Sequence, residues 1–309
     1  MRRSVWRSTA FGTTHTLIVL VLSVVLAALV SGCVSFQSVD PTNADALVDV
    51  RVPQGEVRTL ENVRMPELDR SRDVYVYLPP GYTQSDTRYP VLYMQDGQNL
   101  FDGIASPNRH WMVDRIIDAH VAMGLYDGLI VVGVRSNAYR VSEYVPYNFS
   151  YGETTYDNTR AADYSDFLAE TLKPLIDQQF RTLPDREHTH IAGSSFGAFI
   201  SLYSMMRHPD VYGGVGAFSS AVWPADFAFI EAIRSYDGRT DTRLYLDMGT
   251  WEGADPVEQT RIMAAAFRDL GFDELQVVIE PQGVHTESAW RGRFPGAILW
   301  LLDRQAVQP

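Results

Sequence analysis

Short stretches of strand character recur along the chain. Residues 74–78 (VYVYL) alternate aromatic and β-branched side chains and stop at Pro79-Pro80-Gly81, a turn signal. Residues 91–94 and 129–134 (LIVVGV) are unbroken apolar runs, the pattern of strands covered on both faces. Residues 191–192, 215–218, 244–246 and 277–279 continue the series. Between them the period changes. Residues 161–180 put Phe167, Leu168, Leu172, Leu175 and Ile176 on one side of a helix, and 199–207, 257–270 and 297–302 predict others. An early helix falls in the region of His110 and His120. Buried strands alternating with helices predict an α/β domain with a mostly parallel sheet and helices on both faces. Such sheets bind ligands at the carboxyl ends of their strands. Residues 136–160 break the rhythm, are rich in Tyr and Asn, and read as a functional loop or lid.

The first segment follows a different logic. Arg2, Arg3 and Arg7 precede an apolar run at 17–30 that is short for a membrane span and fits an export signal. It ends in Val30-Ser31-Gly32-Cys33, small residues before a cysteine, as in the bacterial lipobox. The expectation is a lipoprotein signal peptide at 1–32 and lipidation of Cys33, with an uncleaved signal anchor as the alternative. That would tie the protein to the membrane of a bacterial cell envelope, on the periplasmic side of an outer membrane if the cell has one. Residues 33–55 read as a tether, although 47–52 (LVDVRV) alternate like a strand, and 56–309 as the folded domain. Composition supports a sizeable core: 309 residues, 46% hydrophobic and 21% charged. A formal net charge of −12 excludes nucleic acid as the main partner. One cysteine excludes an intrachain disulfide.

The chemistry concentrates in HIAGSSFGA. Gly193-Ser194-Ser195-Phe196-Gly197 is a G-x-S-x-G sequence between a strand and a helix, the context that gives this motif meaning. A sharp turn there lifts Ser195 Oγ out of the sheet. Both flanking glycines are wanted because side chains would collide, and the Phe196 amide at the helix start points at an oxyanion. Ser194 faces away. The base must come from one of seven histidines. His15, His188, His190, His208, His110 and His120 lie in the signal, before the turn, or on the wrong elements. His285, in the loop after the last strand, reaches the carboxyl edge of the sheet. The acid should follow the strand before it, in the order Glu252, Asp255, Asp247. The second oxyanion amide should follow the strand at 91–94, where Gly97 permits close approach and the Gln98 amide is the candidate. Asp96, Asn99 and Asp102 do not have the spacing of a calcium loop, and His188 and His190 lack a third zinc ligand.

VYVYLPPGY, YPVLYMQDGQNLFDG, DFLAETLKPLID, HIAGSSFGAFISLYSMMRHPDVYGG, LYLDMGTWEG and QGVHTESAW together resemble the esterase D family of α/β hydrolases, in the right order over about 73–290. The resemblance implies Ser195 as nucleophile, His285 as base and, through GTWEG, Glu252 as acid. It implies an ester substrate of the siderophore, carbohydrate or other small-molecule kind, with no cofactor or metal. One departure is Gly197-Ala198 where many relatives have two glycines, and a helix tolerates the added methyl. Arg140 and Glu143 read as a structural ion pair. Trp111, Tyr144 and Trp223 are candidates to line the substrate pocket. The expected activity is ester hydrolysis through an acyl-enzyme. The alternatives are acyl transfer on the same scaffold and a catalytically silent binding lipoprotein.

Overall fold

The computed structural model describes residues 52–104 and 110–302. The expected signal peptide, Cys33, most of the tether and most of the 47–52 alternation lie outside the described residues. The compact unit considered below begins at Pro53.

Strand β1 (Glu56–Met65) pairs antiparallel with β2 (Arg70–Leu78), and β2 pairs antiparallel with β4 (Ile130–Val134). Beyond β4 every neighbour is parallel: β3 (Val91–Met94), β7 (Thr189–Ser194), β8 (Gly214–Phe218), β9 (Arg243–Gly249) and β10 (Leu275–Glu280), giving the order β1-β2-β4-β3-β7-β8-β9-β10. The helices are α1 (Val113–Ala122), α2 (Arg140–Tyr144), α3 (161–179), α4 (Phe196–Arg207), α5 (Asp226–Arg234), α6 (Ala254–Asp269) and α7 (Glu287–Leu302). Helix α3 carries a π turn at Phe167–Leu172.

Strand parity sorts the core. Val91 and Tyr93 pack with residues of α3, α4, α5 and α6, whereas Leu92 and Met94 pack with α1 and α7 on the opposite face. All four are buried, which explains why the strand shows no polar alternation. The fold is therefore α/β, a mostly parallel sheet with helices on both faces. Ser194 pairs with Phe218, Phe218 with Asp247, and Gly249 with Glu280. That register brings the ends of β7, β8, β9 and β10 to one edge, so whatever follows each strand meets there.

Several elements escape the periodicity. Strand β1 carries few buried residues, and the predicted 297–302 helix extends back to Glu287. The stretch expected to be irregular, 136–160, holds α2 and a hairpin of β5 (Phe149–Tyr151) and β6 (Thr154–Tyr156). The expected Arg140–Glu143 pair is a correction. Glu143 is fully buried and is held by Arg72 at 2.9 and 3.0 Å and by Arg70 at 3.0 Å. Arg140 instead grips Asp96 through two 2.8 Å bonds. A carboxylate removed from water needs several donors, and β2 supplies two arginines where α2 could offer one.

Candidate active site

Ser195 stands at φ 58°, ψ −126°, a conformation that costs a non-glycine residue on the order of 1–3 kcal/mol. Its surroundings enforce it. The Ser195 amide donates to Phe218 O at 2.9 Å, and its carbonyl accepts from Phe199 N and Ala221 N, both at 3.2 Å. A Cβ on Gly193 would stand 2.6 Å from the Gly197 carbonyl, and one on Gly197 would stand 3.0 Å from Gln95 Cβ. A side chain at Gly193 would thus strike backbone, and one at Gly197 would fit only if Gln95 gave way by a few tenths of an ångström. Ala198 is fully buried without disturbing α4. Phe196 is the first residue of α4, so its amide belongs to the unpaired positive end of a helix of 12 residues.

Glu252 and His285 meet across the loops that follow β9 and β10. Thr250–Glu252 form a 310 turn directly after β9. Glu252 Oε2 lies 2.6 Å from His285 Nδ1, and the side chains are 4% and 44% exposed, so the carboxylate is buried and the imidazole is reachable. The carboxylate fixes Nδ1 as the protonated nitrogen and leaves Nε2 free. Glu252 Oε1 accepts from the Gly249 amide at 3.0 Å and from Ser219 Oγ at 2.6 Å. Burial opposes ionisation of Glu252, but the bonds from His285, Ser219 and Gly249 outweigh it and hold its carboxyl below the usual range. The described hydrogen bonds join His285 to Glu252, and none joins its ring to Ser195. Such contacts commonly tighten when substrate arrives.

Asp247 and Asp255 do different work. Asp247 is buried in β9, receives Arg293 at 2.8 and 3.0 Å and the Ser219 amide at 2.9 Å, and its carboxyl is pushed up by burial. Asp255 is exposed in the first turn of α6, where a negative charge suits the helix end. Ser219, Trp290 and Arg293 were not anticipated. Trp290 stands edge-on to the His285 ring with centroids 4.9 Å apart. The sequence signal was the helix opening ESAWRGR, two residues after His285.

Gly97 and Gln98 begin a 310 turn, Gly97–Asn99, whose first amides have no partner within the turn. A Cβ on Gly97 would strike Gly133 of β4 at 2.5 Å, so glycine lets this loop sit against the sheet. The Gln98 side chain clamps Ser136 through two 2.9 Å bonds. Arg140 holds Asp96 on the same loop and lies 5.8 Å from the Phe196 ring centroid. Two pocket assignments need correction. Trp111 is 3% exposed, packed on Trp290 and Phe218, and Tyr144 is fully buried with its hydroxyl accepting from the Asp96 amide. Large rings beside a sheet contribute most by burial, and these two support the site from beneath. Trp223 is 40% exposed and joins Phe149, Tyr151 and Phe196 in an aromatic patch next to Ser195.

The loop carboxylates Asp96 and Asp102 are taken up by Arg140 and Arg115. Among the described residues, Asp166, Glu170 and His208 have ligand atoms close enough to hold a metal, but Arg207 already grips Asp166 through two bonds.

The model of the family described as "Putative esterase" matches residues 65–301. The chain is 24% identical over 246 residues to "Uncharacterized protein YbbA" of Bacillus subtilis, covering 76% of this chain and 94% of that one. It is 29% identical over 225 residues to an endo-1,4-beta-xylanase/feruloyl esterase of Xylanibacter ruminicola, covering 70% of this chain and 27% of that one. The enterobactin esterase of Shigella flexneri superposes with a TM-score of 0.63 at 18% identity, over 82% of this chain and 62% of that chain. At that identity the likeness carries the fold, and this chain spans less than two thirds of that enzyme. The family match covers the strands, the serine turn and the His285 loop together, and from it we conclude that this chain belongs to the Putative esterase family, whose membership supports ester hydrolysis.

Proposed function

We propose that this protein is a serine esterase that works through an acyl-enzyme. The observation that carries the reading is the buried Glu252 bonded to His285 Nδ1 at the same sheet edge as a strained Ser195. His285 Nε2 takes the proton from Ser195 Oγ as the oxygen attacks the ester carbonyl. The amides of Phe196 and Gln98 receive the oxyanion, the larger part of whose stabilisation comes from donors fixed in advance. Imidazolium then protonates the leaving alcohol. Water, deprotonated by His285, releases the acid in the second half. Glu252 stays ionised throughout, orienting the ring and offsetting its charge.

The patch of Trp223, Phe149, Tyr151 and Phe196 favours an ester with an aromatic ring near the scissile bond. Feruloyl and enterobactin esters, named for the relatives above, are of that kind. The lipobox at Cys33 supports attachment to a bacterial envelope membrane. The test uses the chain from Val34 onward with p-nitrophenyl acetate and butyrate, beside Ser195→Ala and a fluorophosphonate label. Turnover and labelling that both vanish in Ser195→Ala are expected, with the melting temperature unchanged. A folded Ser195→Ala protein with full activity would overturn the assignment.

A further inference from the structure

Ser219 follows β8 directly, one residue after the carbonyl that holds the Ser195 amide. It is 1% exposed and stands at φ 45°, a left-handed conformation that a serine adopts at a cost. The strain is fixed by its amide, which donates to Asp247 Oδ1 at 2.9 Å and lies 3.1 Å from Asp247 O. Three groups meet its hydroxyl. Trp290 Nε1 donates at 2.8 Å, Arg293 Nη2 donates at 2.9 Å, and Glu252 Oε1 lies at 2.6 Å.

Those partners leave the hydroxyl one orientation. A serine oxygen carries one hydrogen and two lone pairs. Indole and guanidinium N–H groups can only donate, so both lone pairs are occupied. The single proton must go to Glu252 Oε1, which therefore has to act as an acceptor. Oε1 also receives the Gly249 amide, so the Oε2 side is left facing His285 Nδ1. Arg293 is itself locked onto Asp247, and Trp290 packs against the His285 ring.

We propose that Ser219 is a positioning residue of the catalytic machinery: its hydroxyl, aimed by Trp290 and Arg293, holds Glu252 ionised and turned so that His285 keeps its proton on Nδ1. The proposal rests on the triad proposed above. It adds a residue that touches no substrate yet fixes the tautomer of the base.

The test is a double-mutant cycle with p-nitrophenyl butyrate. Ser219→Ala should lower kcat about tenfold to a hundredfold with KM nearly unchanged, the effect of losing one hydrogen bond to a charged group. In a Glu252→Ala background the same substitution should cost less than twofold, because the group it acts through is gone. An equal loss in both backgrounds, or wild-type kcat in Ser219→Ala, would overturn the proposal. Trp290→Phe keeps a ring beside His285 but frees one lone pair of the hydroxyl, and a loss of about threefold to tenfold in kcat is expected. It decides the matter if Ser219→Ala fails to fold, since wild-type kcat there also counts against the idea. A readout independent of turnover separates this proposal from the triad itself. The low-field proton resonance of His285 Nδ1–H, assigned by its absence in His285→Gln, should persist in Ser195→Ala and be lost or broadened in Ser219→Ala. An unchanged resonance in Ser219→Ala refutes the positioning role even if the wild-type protein hydrolyses no ester.

Discussion

Three carboxylates lie in β9 or in the segments after it, and each does different chemistry. Asp247 is sealed under Arg293, Glu252 reaches His285 at the end of a 310 turn, and Asp255 points to water from the start of α6. Glu252→Gln should cost about two orders of magnitude less in kcat than His285→Ala, the gap found when the acid and the base of such triads are removed separately. Asp255→Asn should stay within about twofold of wild type, as exposed substitutions away from a site do. Steady-state kinetics on one ester decide both, and a damaging Asp255→Asn would move the acid to α6. The serine turn was legible in the sequence because Gly-x-Ser-x-Gly reports a steric requirement, and Gly193 and Gly197 do lie against backbone and Gln95. Which carboxylate meets His285 was legible only as a ranking. Side-chain direction within a turn depends on where β9 stops, and no local pattern specifies that.

Elements with a buried face were the readable ones. The apolar runs that became β3, β4 and β8 carry their burial on both sides. Strand β1 was missed because it lies at the sheet edge, and EVRTLENVRM buries only Val63 and Met65. The hairpin of β5 and β6 was missed for a related reason. Each of its strands has three residues, too short for a period to show, and its packing comes from cross-strand rings such as Phe149 on Tyr156 at 4.7 Å. That hairpin presents Phe149 and Tyr151 to Trp223, 5.6 and 5.2 Å away between centroids. Aromatic pairing contributes about 0.5–1.5 kcal/mol beyond burial. Trp223→Ala should therefore lower kcat/KM about threefold to tenfold for an aryl-bearing ester such as methyl cinnamate, and less than twofold for p-nitrophenyl acetate. Equal losses on the two esters would remove the patch from substrate recognition.

On the scale of the whole molecule, the chain enters the sheet at the edge opposite β10, and a buried acid fastens it there. Asp118 of α1 is 4% exposed and accepts from the Gly55 amide and from the Tyr77 hydroxyl, both at 2.8 Å. Gly55 approaches so closely that a Cβ would meet Leu78 O at 2.4 Å. Burial pushes the Asp118 carboxyl from 3.8 up to about 6, outweighing the help of the Tyr77 and Gly55 bonds. The sign of the consequence is fixed by linkage. The folded state binds this proton more tightly than the unfolded one, so the contribution of Asp118 to stability is greatest below about pH 4. It declines as pH rises from there to about 6, by on the order of 3 kcal/mol, and stays low above that. An asparagine keeps the accepting oxygen for Gly55 and Tyr77 without a charge to bury. Asp118→Asn should therefore raise the urea midpoint at pH 8 and flatten the change in midpoint between pH 4 and pH 6 relative to wild type. A variant that keeps the wild-type slope across that window would show that Asp118 is not the group titrating there. A variant that loses stability at pH 8 would show that the ionised carboxylate is what secures the leading segment. In that case the fastening of β1 would depend on charge, and acid rather than base would loosen it.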